Sequence, residues 1–335
     1  MLSIFSYAFN AIAPILLLVL LGYLLRVKQV FSPQFFKLAN RFAFHYSFPA
    51  LMFVNLYTLD SIWEIDVRLA VYLLISLMII TLVSIILANL LTNARNQKGV
   101  LIQAGFRSNF AIIGLPLVEG LVGSAGRAAA AAMQAPTVIY FNVVSVLALT
   151  IYSDDAAFSP RKILKNLVRN PLIQGLSAGV IVLVIREFIP VAADGTLVFS
   201  ISGTLPWLYT TLQYLARLGT PLCLIMLGGQ FNFSDVHGIR KQLTAAVLMR
   251  LILAPILGFS MAFAASHFGL LELGPATIGI MIAAYGSPVA VSSAVMASEM
   301  HADDVLAGQI VVWNSLLSMF TIFFLAVLFR SVGML

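Results

Sequence analysis

The chain has 335 residues, 19 Lys and Arg against 13 Asp and Glu, a formal net charge of +6 and a mean hydropathy of +1.01. Only 10% of its residues are charged, against about 25% in soluble domains, which excludes a soluble globular protein and points to a polytopic membrane protein. The basic residues sit in short loops, so the positive balance reads as membrane topology and not as a nucleic-acid footprint.

A bilayer span needs about 20 mostly apolar residues. By that measure the sequence predicts ten spans, the first five at about 7–25, 34–57, 67–91, 99–121 and 126–151. The second five fall at about 171–189, 205–229, 241–265, 273–298 and 305–329. The N-terminus has no basic region before Ala8–Leu25, so this run reads as a first span and not as a cleaved signal. Arg26, Lys28 and Lys37 follow the first span, and Arg95 and Lys98 follow the third. Arg161, Lys162, Lys165 and Arg169 fill the central loop, and Arg240 and Lys241 follow the seventh span. The alternate loops carry Asp60, Glu64, Asp66, Glu187, Asp194 and Glu272. The positive-inside rule makes the basic set cytoplasmic and both termini external, in an inner (plasma) membrane. The acidic loop after span nine (Glu299, Asp303, Asp304) must then also be cytoplasmic. The single cysteine, Cys223, lies in an apolar run, where packing is its expected role.

An offset of 172 residues relates the two halves: Pro49 pairs with Pro221, Gly114 with Gly286, Pro116 with Pro288, and Asn142 with Asn314. Spans two to five land on spans seven to ten. With an odd number of spans per repeat, the halves face opposite ways, an inverted repeat of the kind common in secondary transporters. The expected units are residues 1–152, a basic cytoplasmic linker 153–170, and residues 171–335.

Span four carries Gly114 and Pro116, and span nine carries Gly286, Ser287 and Pro288, near mid-membrane in both. A proline removes one helical hydrogen bond and crowds the carbonyl four residues back. Singly, each is a tolerable kink. Paired at symmetry-related places, such breaks mark a transporter's binding site, with loose carbonyls for cations and helix N-termini for anions. Asn109, Asn142 and Asn314 can serve a substrate or bond a neighbouring helix. Gln134 with Pro136 in span five is a weaker candidate of the same kind. Arg107 either draws an anion or snorkels to the cytoplasmic surface. His45 and Arg217, related by the same offset, either attract carboxylates or make scaffold bonds. Arg250 has no acidic partner nearby in sequence and no assigned role, and no carboxylate lies clearly mid-membrane.

The run Phe106-Arg-Ser-Asn-Phe-Ala-Ile-Ile-Gly-Leu-Pro-Leu117 resembles the fourth-helix signature of the auxin efflux carrier family, which includes malonate-transporter-like bacterial proteins and the plant PIN exporters. Ala284-Tyr-Gly-Ser-Pro-Val289 resembles its counterpart in span nine less specifically, and the central loop is short beside that of the plant members. The resemblance covers the whole chain. It implies an all-α polytopic membrane fold like that of the bile acid/sodium symporters, with ten helices in two five-helix inverted repeats and broken helices four and nine crossing. It also implies a scaffold of spans one, two, six and seven, a mobile transport domain of spans three to five and eight to ten, elevator-type alternating access and a homodimer. By position it maps Asn109, Gly114, Pro116, Gly286, Ser287 and Pro288 to the crossover.

The expected function is secondary transport of a small organic anion, a carboxylate such as malonate or an auxin-like acid. No cofactor is expected, and coupling to sodium or protons stays open. The rivals are a solute receptor using the same pocket and a channel, which would need rings of charges or carbonyls around an axis. An enzyme is not expected, since the sequence holds no His-Glu-x-x-His, no Gly-x-Gly-Asp and no membrane Ser with an evident His base.

Overall fold

The computed structural model describes residues 2–59, 66–153, 160–190, 197–231 and 236–335. Asp60, Glu64 and Asp194, assigned above to external loops, lie outside them. The described residues are helical, without strands. The helices are α1 (Leu2–Val27), α2 (Pro33–Phe42), α3 (Phe48–Tyr57), α4 (Val67–Leu91), α5 (Arg95–Phe106), α6 (Leu115–Ile151), α7 (Pro160–Arg169) and α8 (Pro171–Arg186). They continue as α9 (Ile201–Thr204), α10 (Pro206–Gln230), α11 (Val236–Leu248), α12 (Ala254–His267), α13 (Pro275–Met281), α14 (Ser292–Glu299) and α15 (Asp304–Ser331).

By length and hydropathy, four helical runs among the described residues can each cross a membrane alone: Val67–Leu91, Phe110–Ile151, Gly238–His267 and Asp304–Ser331. A fifth qualifies if Ile163–Arg169 and Pro171–Arg186, bent by 67°, count as one. The run Phe110–Ile151 is too long for one crossing at about 1.5 Å per residue, and Gly123 (φ 83°) interrupts it where the sequence separates spans four and five. Only glycine adopts that φ without strain. The central linker is not all loop, because α7 occupies Pro160–Arg169. Pro160 starts it, and Ile163, Leu164, Leu167 and Val168 repeat at helical spacing opposite its basic residues.

Among the described residues, four π-helical turns lie at Ala43–Ser47, Phe110–Gly114, Met249–Leu253 and Ile282–Gly286. Each ends two residues before a proline, namely Pro49, Pro116, Pro255 and Pro288. The proline ring crowds the carbonyl four residues back, which falls inside the turn in every case, and widening that turn relieves the clash. Two of the displaced carbonyls find new donors. Leu251 O accepts from Thr321 Oγ1 (3.3 Å) and Ala284 O from Arg250 Nη2 (2.6 Å). Side chains from neighbouring helices thus satisfy backbone groups that lipid could not.

The helices pack in two groups that also touch each other, α1 lying against α15 and α6. In one, α1 crosses α10 and α3 crosses α8, with α10 also against α2 and α3. In the other, α4 packs on α5 and α12, α6 on α13, and α15 on α11 and α14. Glycines allow the closest crossings. A Cβ on Gly22 would lie 1.9 Å from Ile225 O, and one on Gly228 would lie 1.9 Å from Val19 O, so α1 and α10 touch backbone to backbone. The basic segments share one face with the acidic turn before α15: Asp303 N donates to Asn96 O (3.2 Å) and Gln97 Nε2 to Asp303 Oδ2 (2.9 Å). At the far ends of α3 and α8, Arg186 donates to Tyr57 O (2.9 Å) and to Leu59 O.

Because the α1–α10 contact has no room for a side chain, Gly22→Ala should destabilise the fold by about 1–3 kcal/mol. Gly238→Ala, with nothing within 4 Å of the added carbon, should be neutral or slightly stabilising. Unfolding midpoints in detergent compare the two, and equal midpoints would contradict the close crossing.

Candidate functional site

Both interrupted helices lose their helical hydrogen bonds over a few residues, and the two gaps meet. α5 ends at Phe106, Arg107 is extended (φ −83°, ψ 104°), and the helix resumes at Phe110. Opposite it, the π turn ends at Gly286, Ser287 is extended (φ −68°, ψ 150°), and α14 starts at Ser292. Ser108 and Val289 pair as an antiparallel bridge, with Asn109 N donating to Pro288 O (2.8 Å) and Ala290 N to Arg107 O (3.4 Å). Each gap thereby satisfies part of the other's exposed backbone, which buried non-helical chain requires.

The break in span four is therefore not at Gly114 and Pro116, where the sequence placed it. Those two residues lie in a continuous helix whose widened turn absorbs the proline, and the non-helical stretch is Arg107–Asn109. A Cβ on Gly114 would sit 3.2 Å from the Ala283 Cβ, so this glycine lets the two π turns pack closely. Gly286, Ser287 and Pro288 do mark the other break. As a result the paired stretches do not follow the 172-residue offset.

Four helix ends converge here. The C-termini of α5 and of the run Pro275–Gly286 face Arg250, which is fully buried. Its Nε donates to Ser287 O (2.9 Å), Nη1 to Phe106 O (3.2 Å) and Gly105 O (3.4 Å), and Nη2 to Ala284 O (2.6 Å). The final carbonyls of a helix lack intrahelical donors, and one planar guanidinium serves both ends at once.

On the other side, the helices beginning at Phe110 and Ser292 direct their positive ends toward a narrow cavity of about 40 Å³. Arg107, Ser108, Asn109, Asn142 and Ser292 supply its polar wall, and Asn55 and Thr220 supply a second polar edge. Phe48, Met52, Ile112, Val138 and Phe141 make the remainder apolar. Arg107 is 2% exposed, so it does not snorkel to the surface. Its Nη2 donates to Asn142 Oδ1 (3.0 Å) and Ser292 Oγ (2.8 Å), and its Nη1 to Met296 Sδ. All these partners are neutral, and a thioether is a weak acceptor. Asn109 Nδ2 and Ser108 Oγ are buried in the same wall without a hydrogen-bond partner. Among the described residues, the buried charged side chains are Arg107 and Arg250, with no buried carboxylate.

The structure thus gathers Arg107, Asn109 and Asn142 at one cavity but leaves other sequence candidates elsewhere. Asn314 is buried in α15, where its Nδ2 donates to Ile310 O (3.0 Å), an internal helix bond. Gln134 is buried in α6 away from the cavity wall. His45 is exposed, with Nδ1 against Arg41 O (2.9 Å), beside Lys37, Glu299 and His301 on the basic face. Arg217 is exposed on α10. Sequence reasoning missed Ser108, Asn55, Thr220 and Ser292, and gave Arg250 no role. Ser108 was legible inside the span-four motif, whereas the partners of Arg250 are backbone carbonyls of other helices and leave no mark in sequence.

Removing the shared donor should loosen both helix ends. Arg250→Met should destabilise the protein by about 3 kcal/mol or more, given the worth of hydrogen bonds to a charged group. Arg250→Lys should recover only part, since a compact ammonium cannot span carbonyls on both elements. Midpoints in detergent test the order, and a wild-type midpoint for Arg250→Met would contradict it.

A family model described as membrane transport protein matches residues 7–326. The chain is also 24% identical, over 320 residues, to an uncharacterized transporter of Methanothermobacter thermautotrophicus, covering 94% of this chain and 96% of that protein. The family match runs through both broken helices and the cavity between them. The chain is a multi-pass membrane protein and belongs to the membrane transport protein family.

Proposed function

We propose that the chain is a secondary transporter of the auxin efflux carrier type that moves a small organic anion, a carboxylate such as malonate or an auxin-like acid. The observation that carries this reading is the buried guanidinium of Arg107, with neutral partners only, beside the unpartnered Asn109 Nδ2 and Ser108 Oγ. Each of the two helix N-termini adds about half an elementary positive charge. A carboxylate supplies what this wall lacks, namely negative charge and acceptor atoms for an amide and a hydroxyl. The apolar lining is chemically suited to the body of an organic acid, and the cavity of about 40 Å³ would have to widen to take it.

In this reading the ten spans form two inverted five-helix repeats. α1, α2–α3, α8 and α10 act as a fixed scaffold through which two copies associate, and the other membrane helices act as the transport domain. The cavity lies where the groups meet, since Phe48, Met52 and Thr220 come from the first and Arg107, Asn142 and Ser292 from the second. Sliding of the second group against the first would present the anion to each side in turn. The shared face of the basic loops and the Asp303 turn is the cytoplasmic one, with both termini outside an inner (plasma) membrane.

Asn109→Ala should lower carboxylate flux in proteoliposomes by about 10–100-fold, the worth of one hydrogen bond to a charged group. Its unfolding midpoint should stay near wild type, because Asn109 Nδ2 makes no bond within the protein. Unchanged flux of the true substrate would remove Asn109 from the site. Saturable binding without flux or counterflow would favour a receptor instead.

A further inference from the structure

The C-terminal side of the crossing is a cation site already filled by the protein. Four backbone carbonyls, from Gly105, Phe106, Ala284 and Ser287, surround one guanidinium at the ends of two interrupted helices. Carbonyls at the ends of interrupted membrane helices are the usual ligands of coupling cations in transporters. Each helix C-terminus carries about half an elementary negative charge, so two of them together match one monovalent cation. The group found there is the Arg250 guanidinium, which bonds all four carbonyls and no carboxylate.

We propose that this carbonyl cluster is a monovalent-cation site whose permanent occupant is the tethered guanidinium of Arg250, so that the crossing needs no sodium or potassium ion from solution. The charge balance supports it. A second cation would meet no residual negative charge, because among the described residues no carboxylate is buried there. The bonding supports it as well, since a bound metal ion would have to compete with four existing hydrogen bonds. A free cation would bind and leave with each cycle, whereas a side chain anchored in the π turn Met249–Leu253 stays with the helices it joins. The placement also divides the labour of the crossing. The C-terminal side holds a built-in cation, and the N-terminal side, with Arg107, is open to an anion. The transport consequence rests on the reading of the protein as a transporter, but the site itself does not.

The test uses purified full-length protein and reads stability, so it is independent of any substrate. Arg250→Ala should unfold at a lower temperature than wild type. Millimolar guanidinium chloride should raise its midpoint in a saturable way that sodium-matched ionic strength does not reproduce. Wild type and Arg250→Lys should show no such rise. Wild type should also unfold at the same temperature in sodium, potassium and choline chloride. A folded Arg250→Ala that ignores guanidinium, or a wild type stabilised saturably and selectively by sodium or potassium, would overturn the proposal. If Arg250→Ala does not fold, the comparison of salts on wild type decides. Wild-type carboxylate flux, where flux is seen, should likewise be unchanged when choline replaces sodium. A protein that moves no carboxylate would fail the transport reading while leaving the stability result to stand.

Discussion

The structure depends on four helix ends meeting among buried residues. Left alone, two C-termini and two N-termini would bury rows of unsatisfied carbonyls and N–H groups, each costing about 2 kcal/mol or more in an apolar medium. Arg250 removes the worst of this on one side by donating to both C-termini. The short bridge from Asn109 N to Pro288 O and from Ala290 N to Arg107 O holds the two gaps in register. What remains is polarised: negative helix ends neutralised by a cation on one side, positive helix ends and a second cation, Arg107, on the other. On the proposed reading, that asymmetry would favour an anion in the cavity.

The prolines set up this arrangement indirectly. Pro116 and Pro288 occupy matching places in the two halves, and each is preceded by a π turn. Beyond that the halves diverge. Around Pro288 the chain leaves the helix and Ala284 O is handed to Arg250. Around Pro116 the helix continues, and the gap lies earlier, at Arg107–Asn109. The result is a crossing in which one strand carries a charged side chain and an amide, and its partner carries small residues, Ser287, Pro288 and Val289. The two gaps are thus unlike in the side chains they present.

Much of this was legible in the sequence, for physical reasons that also mark the limits. An apolar run of span length predicts helix, because lipid permits little else, and among the described residues four or five helical runs are long and apolar enough to cross a membrane. The bounds predicted for the third span, 67–91, are those of α4. Gly-Ser-Pro marked its break because each residue acts on its own backbone. Asn142 and Asn314 could not be separated, since both are amides at equivalent places. Asn142 meets the Arg107 guanidinium, while Asn314 turns back on its own helix. Arg107 and Arg250 were ambiguous for the same reason: a charge in a span announces itself, but its partners come from other helices. His45 and Arg217 looked paired in sequence and are both exposed, away from the cavity wall.

The central claim is that the N-terminal side of the crossing holds the carboxylate of an organic acid. An experimental structure with a bound carboxylate, identified by a thermal-shift screen of small organic acids, tests it most directly. The account predicts carboxylate oxygens within about 3.2 Å of the Arg107 guanidinium and Asn109 Nδ2, with the rest of the acid along Met52, Val138 and Phe141. A carboxylate seated on the basic face near Lys37 and His45, with Arg107 still bonded only to Asn142, Ser292 and Met296, would contradict it.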